Sequence, residues 1–452
     1  MAIKISNLFL ILPLPVIFFI MGYMENMGFF SEAIALESII IPLSLVLLVI
    51  YCYKSSPAFL FTSGMTFYYH IGMCISLLMI TSGVHMIEIN KVGDGNGSAF
   101  IMLSFFIFSL GISKSSFELT LKKSYNKYVP RLSLKIVSAA LLIVITVVLI
   151  LGLFILLVYS GPVLKGVNRV EFWESMKSTG LSFFPTLVMQ SFYFVVFYCL
   201  YKKQSKKRYH KALLFVGLYI ITTILILGQK FSAFIIYITV FMSLLPSFVN
   251  NLKFNIRYLL LVVFLCAILI CIIVLSYVMQ GRDGSFIFVR AALQGQLMWS
   301  AFNGNFPGLI DLNISCFIGC DGFANGKEYI SFKYLPVATY IHYMNTGTEL
   351  SGFAPALQLL TLGIIPTLIL QTIVSSLLGF LQARMVIYNS QRNFIMGFLL
   401  FKLSFTVFLI WYVIMFTAFT GGILTVLAIV FYIMLCKSTY RNKSLETSTH
   451  AA

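Results

Sequence analysis

Residues 136–158 read IVSAALLIVITVVLILGLFILLV, 23 positions without a charge, in which Ser138 and Thr146 are the only polar side chains. A bilayer core of about 30 Å is crossed by about 20 helical residues, so this run is long enough to span a membrane. Hydrocarbon offers the backbone no hydrogen-bond partners, which leaves the α-helix as the structure for such a segment. Eleven further runs follow the same pattern, at 8–24, 38–53, 58–80, 98–113, 181–201, 212–228, 231–249, 258–279, 356–381, 394–416 and 421–436. The reading is an all-α integral membrane protein of about 12 transmembrane helices, one polytopic domain over residues 1–452. Composition agrees: 60% of residues are hydrophobic and 10% charged, with a mean hydropathy of +0.97, which excludes a soluble globular protein. Lys4 precedes the first run and no small-residue cleavage site follows it, so a retained first helix is expected rather than a cleaved signal.

The 31 Lys and Arg against 14 Asp and Glu give a net charge of +17, and its placement explains it. With the N-terminus in the cytoplasm, 21 of the basic residues fall on inside segments and nine outside, with Lys402 inside a span. Twelve of the acidic residues fall outside, and Glu118 and Glu446 inside. The Lys/Arg bias sets the orientation, so both termini are expected to be cytoplasmic and no nucleic-acid partner is needed to account for the charge.

One long stretch between the ninth and tenth spans, 280–355, is too polar to cross. It carries Asp283, Asp311, Asp321, Glu328 and Glu349, the cations Arg282, Arg290, Lys327 and Lys333, His342, and ten of the 30 glycines. Connections this long are uncommon in compact proteins unless they have a function, so the chemistry is expected here. Its first part, 281–302, reads as a helix lying on or dipping into the membrane, anchored by Phe286, Phe288 and Trp299. Arg282 and Arg290 are a little over two turns apart on it, close enough to serve one ligand. The part 303–328 reads as loop, and the tyrosines of 329–343 as an interfacial belt or as stacking platforms for sugars. His342 has the pKa range of a general base or is simply hydrogen-bonded. Cys316 and Cys320 are either free thiols or, in an oxidising compartment, a disulfide.

Shorter segments add cations. The third outside loop, 159–180, places Arg169 with Glu171, Trp173, Glu174 and Lys177. Arg169 has a donor fork suited to phosphate, or it pairs with a neighbouring carboxylate. Lys230 stands alone in the tight turn Gly228–Gln229–Lys230 between two apolar runs, either as a helix end or as a cation beside a lipid-linked anion. The acidic residues Glu25, Glu32, Glu37, Glu88 and Asp94 of the first two outside loops read as a solvated face. Lys402, about nine residues into its span, is a functional candidate by its depth. No metal ligands stand at zinc spacing, and no phosphate loop, HExxH or nucleophile elbow is present, so no metal or cofactor is expected.

The topology, the basic cytoplasmic side and the arginines of two outside loops together resemble the bacterial O-antigen or capsule repeat-unit polymerase (Wzy) family. Some members carry an Arg-x10-Gly motif in both of these loops. Arg169 to Gly180 matches it, whereas Arg290 is followed eleven residues later by Ala301, and Arg282 by Leu293. The GQKFS turn resembles the Ser-Arg-Gly turn of related O-antigen ligases, with Lys230 at the arginine position. The resemblance implies a GT-C-like fold in the bacterial inner membrane with the long loop periplasmic. It implies a glycosyltransferase that moves glycan from an undecaprenyl-diphosphate carrier onto another lipid-linked repeat unit, with a chain-length regulator as a partner protein. Arg169, Lys230, Arg282 and Arg290 are then the diphosphate-binding residues, and His342, Glu328, Asp321 or Glu349 the base. A flippase for the same lipid-linked oligosaccharide and an O-antigen ligase are the alternatives. Against the flippase stands the single deep charge, Lys402.

Overall fold

In the computed structural model the described residues are 5–29, 33–124, 134–161, 169–181, 183–204, 219, 232–248, 271, 274, 278, 283–303, 306–318, 323, 326–346, 354–415 and 418–449. Among them the chain is almost wholly helical. Helices α1 (Ile5–Ile11) and α2 (Pro13–Asn26) form one span interrupted at Leu12, because Pro13 has no N–H with which to continue the helix. Then come α3 (Ala33–Ser55), α4 (Pro57–Thr62) and α5 (Gly64–Thr81). The loop after α5 holds a short antiparallel hairpin, β1 (His85–Met86) and β2 (Lys91–Val92), with His85 opposite Val92. Next are α6 (Ser98–Ser124), α7 (Leu134–Tyr159), α8 (Arg169–Ser175), α9 (Phe184–Gln204) and α10 (Ser232–Leu244). The long polar segment contributes α11 (Phe286–Ala292), α12 (Gln296–Phe302), α13 (Ile314–Ile318), α14 (Gly326–Tyr334) and α15 (Val337–Thr346). The chain ends in α16 (Ala356–Leu362), α17 (Ile364–Ser390), α18 (Phe394–Tyr412) and α19 (Ala418–Thr449).

Eight helices among the described residues are long and apolar enough to cross a membrane. They lie at 7–26, 36–55, 64–81, 98–123, 142–159, 364–390, 394–412 and 418–435. A ninth candidate is a bent pair, 172–179 with 184–200, whose halves meet at 101°. The expected spans 212–228 and 258–279 lie almost wholly outside the described residues, and α10 covers only 13 residues of the expected 231–249. An all-α membrane bundle is what the apolar runs build.

Helix α6 is the axis of the bundle. Residues 98–113 are buried on nearly every side, and α6 packs along α17, α2 and α1. Contact there is close because small residues line it: Gly379 of α17 backs onto the Ser113 carbonyl, and Gly22 of α2 onto Gly97. Side-chain hydroxyls join the helices, Ser116 Oγ donating to the Ser376 carbonyl at 2.7 Å and Ser104 Oγ to the Pro15 carbonyl at 2.7 Å. A buried cluster of Gln371, Ser109, Trp411 and Tyr412 ties α6, α17 and α18 together. By contrast α7, the most uniformly apolar helix, leaves Ile143, Ile150, Leu153 and Leu157 exposed. In a bilayer that is the expected arrangement, since lipid solvates an apolar surface and helix contact is favoured by small and polar groups.

The expected span 58–80 is two helices parted at Ser63, the expected loop 303–328 contains α13, and three further departures bear on the core and the site. The span expected at 98–113 continues to Ser124, so Lys114 and Glu118 stand in α6 instead of a cytoplasmic loop. Lys114 is fully buried. Its Nζ lies 3.1 Å from Glu118 Oε1, 2.5 Å from Asn7 Oδ1 and 3.3 Å from the Tyr51 hydroxyl. The i,i+4 pairing neutralises both charges and allows the helix to carry them. The span expected at 356–381 is two helices, α16 and α17. They part at Gly363, whose φ of +84° admits glycine readily and whose Cα faces the backbone of Gly308 and Asp311. Residues 308–313 pair there with 361–365, through Asp311 N–H to the Leu362 carbonyl at 3.1 Å and Ile364 N–H to the Gly308 carbonyl at 3.0 Å.

The third departure is in 281–302, expected as one surface helix. It is two helices, α11 and α12, with a corner at Gly295, and all seven residues of α12 are buried. Trp299 is no interface anchor: it is buried, and its indole N–H donates to the Asp94 carbonyl at 2.9 Å. Ser76 of α5 holds the corner, its Oγ donating to the Ala292 carbonyl at 2.8 Å and accepting from Gly295 N–H at 2.6 Å. A Cβ at Gly295 would lie 2.8 Å from Ser76 Oγ and 3.0 Å from Leu77 N. Ser76→Ala, which leaves Gly295 N–H and the Ala292 carbonyl only their 3.1 Å bond to each other, is expected to cost about 1 kcal/mol. Thermal unfolding of the detergent-purified protein measures this, and an unchanged midpoint would show that the corner does not depend on Ser76.

Candidate functional site

The loop 82–97 and the long polar segment lie at the same end of the bundle and are locked together. Asn96 Nδ2 donates to the Trp299 carbonyl at 2.8 Å, and Asn26 Nδ2 to the Phe302 carbonyl at 2.7 Å. Helix α11 packs on β1, which carries Arg290 to the hairpin. The hairpin turn places Glu88 under α15, where the Tyr343 hydroxyl hydrogen-bonds it. Arg290, Glu88 and Tyr343 therefore form one constellation from three distant parts of the chain.

Its electrostatics follow from this placement. Burial raises the Glu88 pKa above the ordinary carboxylate value, while the Tyr343 hydrogen bond and the Arg290 charge pull it part of the way back. Burial and the adjacent Glu88 raise the Tyr343 phenol, so it remains a hydrogen-bond donor. Glu88 Oε2 is shielded from solvent and has no hydrogen-bond partner among the described residues. Arg290 itself is exposed, with its guanidinium available to a ligand. A carboxylate of raised basicity with an unused oxygen, beside an exposed guanidinium, can take a proton and stabilise an anion in one place.

The expected site residues fall at different distances from this constellation. His342 is exposed on α15, its ring centroid 6.2 Å from that of Tyr343. Glu328, half-buried on α14, accepts from the Tyr340 hydroxyl at 3.5 Å. Arg169 is the first residue of α8; only its backbone is described. Lys230, Arg282, Asp321 and Glu349 lie outside the described residues. Cys316 is disulfide-bonded, and Cys320 lies outside the described residues. Lys402 is half-buried midway along α18.

The third loop also has a local explanation. Arg169 and Gly180 mark the two ends of a continuous helical stretch, α8 and a 3-10 turn over Met176–Thr179, which Gly180 closes at φ +72°. Glu174 pairs with Lys177 at 3.8 Å across an exposed surface, a contact worth little. Trp173 is half-buried, stacked on Phe184 at 6.3 Å, so it packs inward as well as outward.

Glu88 is the residue that sequence reasoning missed, because it reads as one more acid on a short outside loop. Glu25 and Glu37 are missed in the same way. They are buried against each other beside Thr81, since α2 and α3 continue past their apolar runs. The available signal for Glu88 was its place in a loop of 16 residues between two spans, long enough to fold back over its neighbours. The tyrosines 329, 334, 340 and 343 all rest against the bundle core. Comparisons with family models, with characterised proteins and with solved structures return no match.

Proposed function

We propose that the chain is a polysaccharide polymerase of the O-antigen or capsule type, a glycosyltransferase with an undecaprenyl-diphosphate-linked donor and acceptor. The observation that carries this reading is the Arg290–Glu88–Tyr343 constellation at the end of the bundle opposite the basic C-terminus of α6. The leaving group of such a transfer is a lipid diphosphate, already activated. What remains for the protein is to hold that anion, position the acceptor sugar and remove its hydroxyl proton. Arg290 binds the departing diphosphate, with Arg169, Arg282 and Lys230 as further cations of the same compartment. Glu88 is the base of the constellation, and Tyr343 holds the carboxylate in place. His342 and Glu328, on the neighbouring helices α15 and α14, and Asp321 are the remaining base candidates.

Two features support the sidedness and the class. A disulfide at Cys316 belongs in an oxidising compartment, which for an inner-membrane protein is the periplasm. The twelve-span topology, with cytoplasmic termini and a periplasmic segment 280–355, is retained as the working arrangement. The charges buried in α6, Lys114 and Glu118, neutralise each other and line no described cavity, which gives the flippase reading no support.

The test is deletion of the gene in its own host, with the surface polysaccharide resolved on a gel. The expected result is core carrying a single repeat unit, restored to a ladder by the wild-type gene. Core with no repeat unit at all would replace the polymerase by the flippase or ligase.

A further inference from the structure

The opposite, basic end of the bundle contains a hollow of about 460 Å³ between α1, α6 and α17. Successive turns of one α6 face supply Ile112, Ser115, Ser116, Leu119, Thr120 and Lys123. Ile11 closes it from α1, while Ser376, Phe380 and Arg384 close it from α17. The wall divides by chemistry. Ile11, Ile112, Leu119 and Phe380 make an apolar channel, and Lys123, on the last turn of α6, and Arg384, six residues before the end of α17, stand at the end nearest the helix C-termini.

The polar groups narrow the choice of ligand. Ser115 donates to the Gly111 carbonyl at 2.8 Å, Ser116 to the Ser376 carbonyl at 2.7 Å and Thr120 to the Ser116 carbonyl at 2.8 Å. Their protons are occupied, so charge recognition falls to the two cations. No acidic residue lines the hollow. The Arg384 guanidinium is held over the Phe380 ring at 5.4 Å, which orients it while leaving its N–H groups to a ligand. Lys123 is exposed.

We infer that this hollow binds one anionic phospholipid, its phosphate between Lys123 and Arg384 and an acyl chain along Ile11, Ile112, Leu119 and Phe380. Two cations above an apolar channel between membrane helices match a charged head on an aliphatic tail, whereas a soluble anion would use the cations and leave the channel empty. The site is separated by the length of α6 from Arg290 and Glu88, and it does not depend on the reading given to them.

Native mass spectrometry of the full-length detergent-purified protein, titrated with phosphatidylglycerol, tests the inference. A single saturable adduct is expected, weakened about fivefold by Lys123→Gln and by Arg384→Gln and much less by Arg384→Lys. Lys122→Gln, one position outside the hollow, is expected to leave the affinity unchanged. Equal weakening by Lys122→Gln would mean general surface attraction and overturn the site. So would full affinity in both the Lys123→Gln and Arg384→Gln proteins. Competition by millimolar inorganic phosphate would assign the cations to a soluble anion and overturn the lipid.

Discussion

Arg290→Ala is expected to abolish the long-chain polysaccharide ladder while the protein remains at wild-type level in the membrane. Loss of one preorganised group that stabilises developing anionic charge costs about 10²–10³-fold in rate. Glu88→Gln, which keeps the shape and removes the base, is expected to cost about 10²–10⁴-fold. The pH dependence separates the two roles. Glu88 must be ionised to accept a proton, so activity falls as the pH drops through its raised pKa, an acid limb above the ordinary carboxylate range. Tyr343→Phe removes a hydrogen bond that lowers this pKa, so the limb moves to higher pH. Glu88→Gln removes the limb together with most of the rate.

Unfolding does not imitate this limb. A carboxyl whose folded pKa is raised favours the folded state when protonated, and that contribution fades as the pH rises through the folded value. Acidification therefore strengthens the fold at Glu88 while it removes the base. Polymerisation assays with purified protein and lipid-linked repeat units, run across pH, read both effects. Wild-type ladders and profiles from Arg290→Ala and Glu88→Gln would remove the site assignment.

The second large effect is on stability. Lys114→Met leaves the Glu118 carboxylate, only 12% exposed and 3.5 Å from Asn7 Nδ2, without its cation. Breaking a buried ion pair from one side costs about 3–5 kcal/mol, because the remaining charge is stranded. Lys114→Met is expected to unfold or aggregate at a markedly lower temperature in detergent, and Lys114→Met with Glu118→Leu is expected to recover much of the loss. If the double variant were no better than the single one, the pair would not be the source of the cost.

The class of fold was legible from length and hydropathy alone, because an apolar run of 23 residues has few structures open to it. Boundaries were legible only where local chemistry set them. Pro13 marks its own interruption, but the break at Gly363 is set by residues 308–311, some 50 positions earlier. The lysine at 114 looked like the start of a cytoplasmic loop because its partners, Asn7 and Tyr51, are far off in sequence. Trp299 looked like an interface anchor for the same reason: its carbonyl partner at Asp94 belongs to another loop. Arg290 was legible as a cation of the long polar segment. Glu88 was not, since burial by α15 is a property of the assembled fold.

The contacts that make α6 the axis also set an order in time. Ser116 meets Ser376, 260 residues later, and Ser109 meets Gln371, 262 residues later. Ribosomes add about 5–20 residues per second, so α6 enters the membrane roughly 13–50 seconds before α17 is made. During that interval the Ser116 hydroxyl and the Ser113 carbonyl, which later meets Gly379, face lipid or whatever insertion machinery holds the nascent chain. The bundle is thus completed around a helix made early, and truncation anywhere before α17 leaves that helix with α1 and α2 but without the partner that carries Ser376 and Gly379.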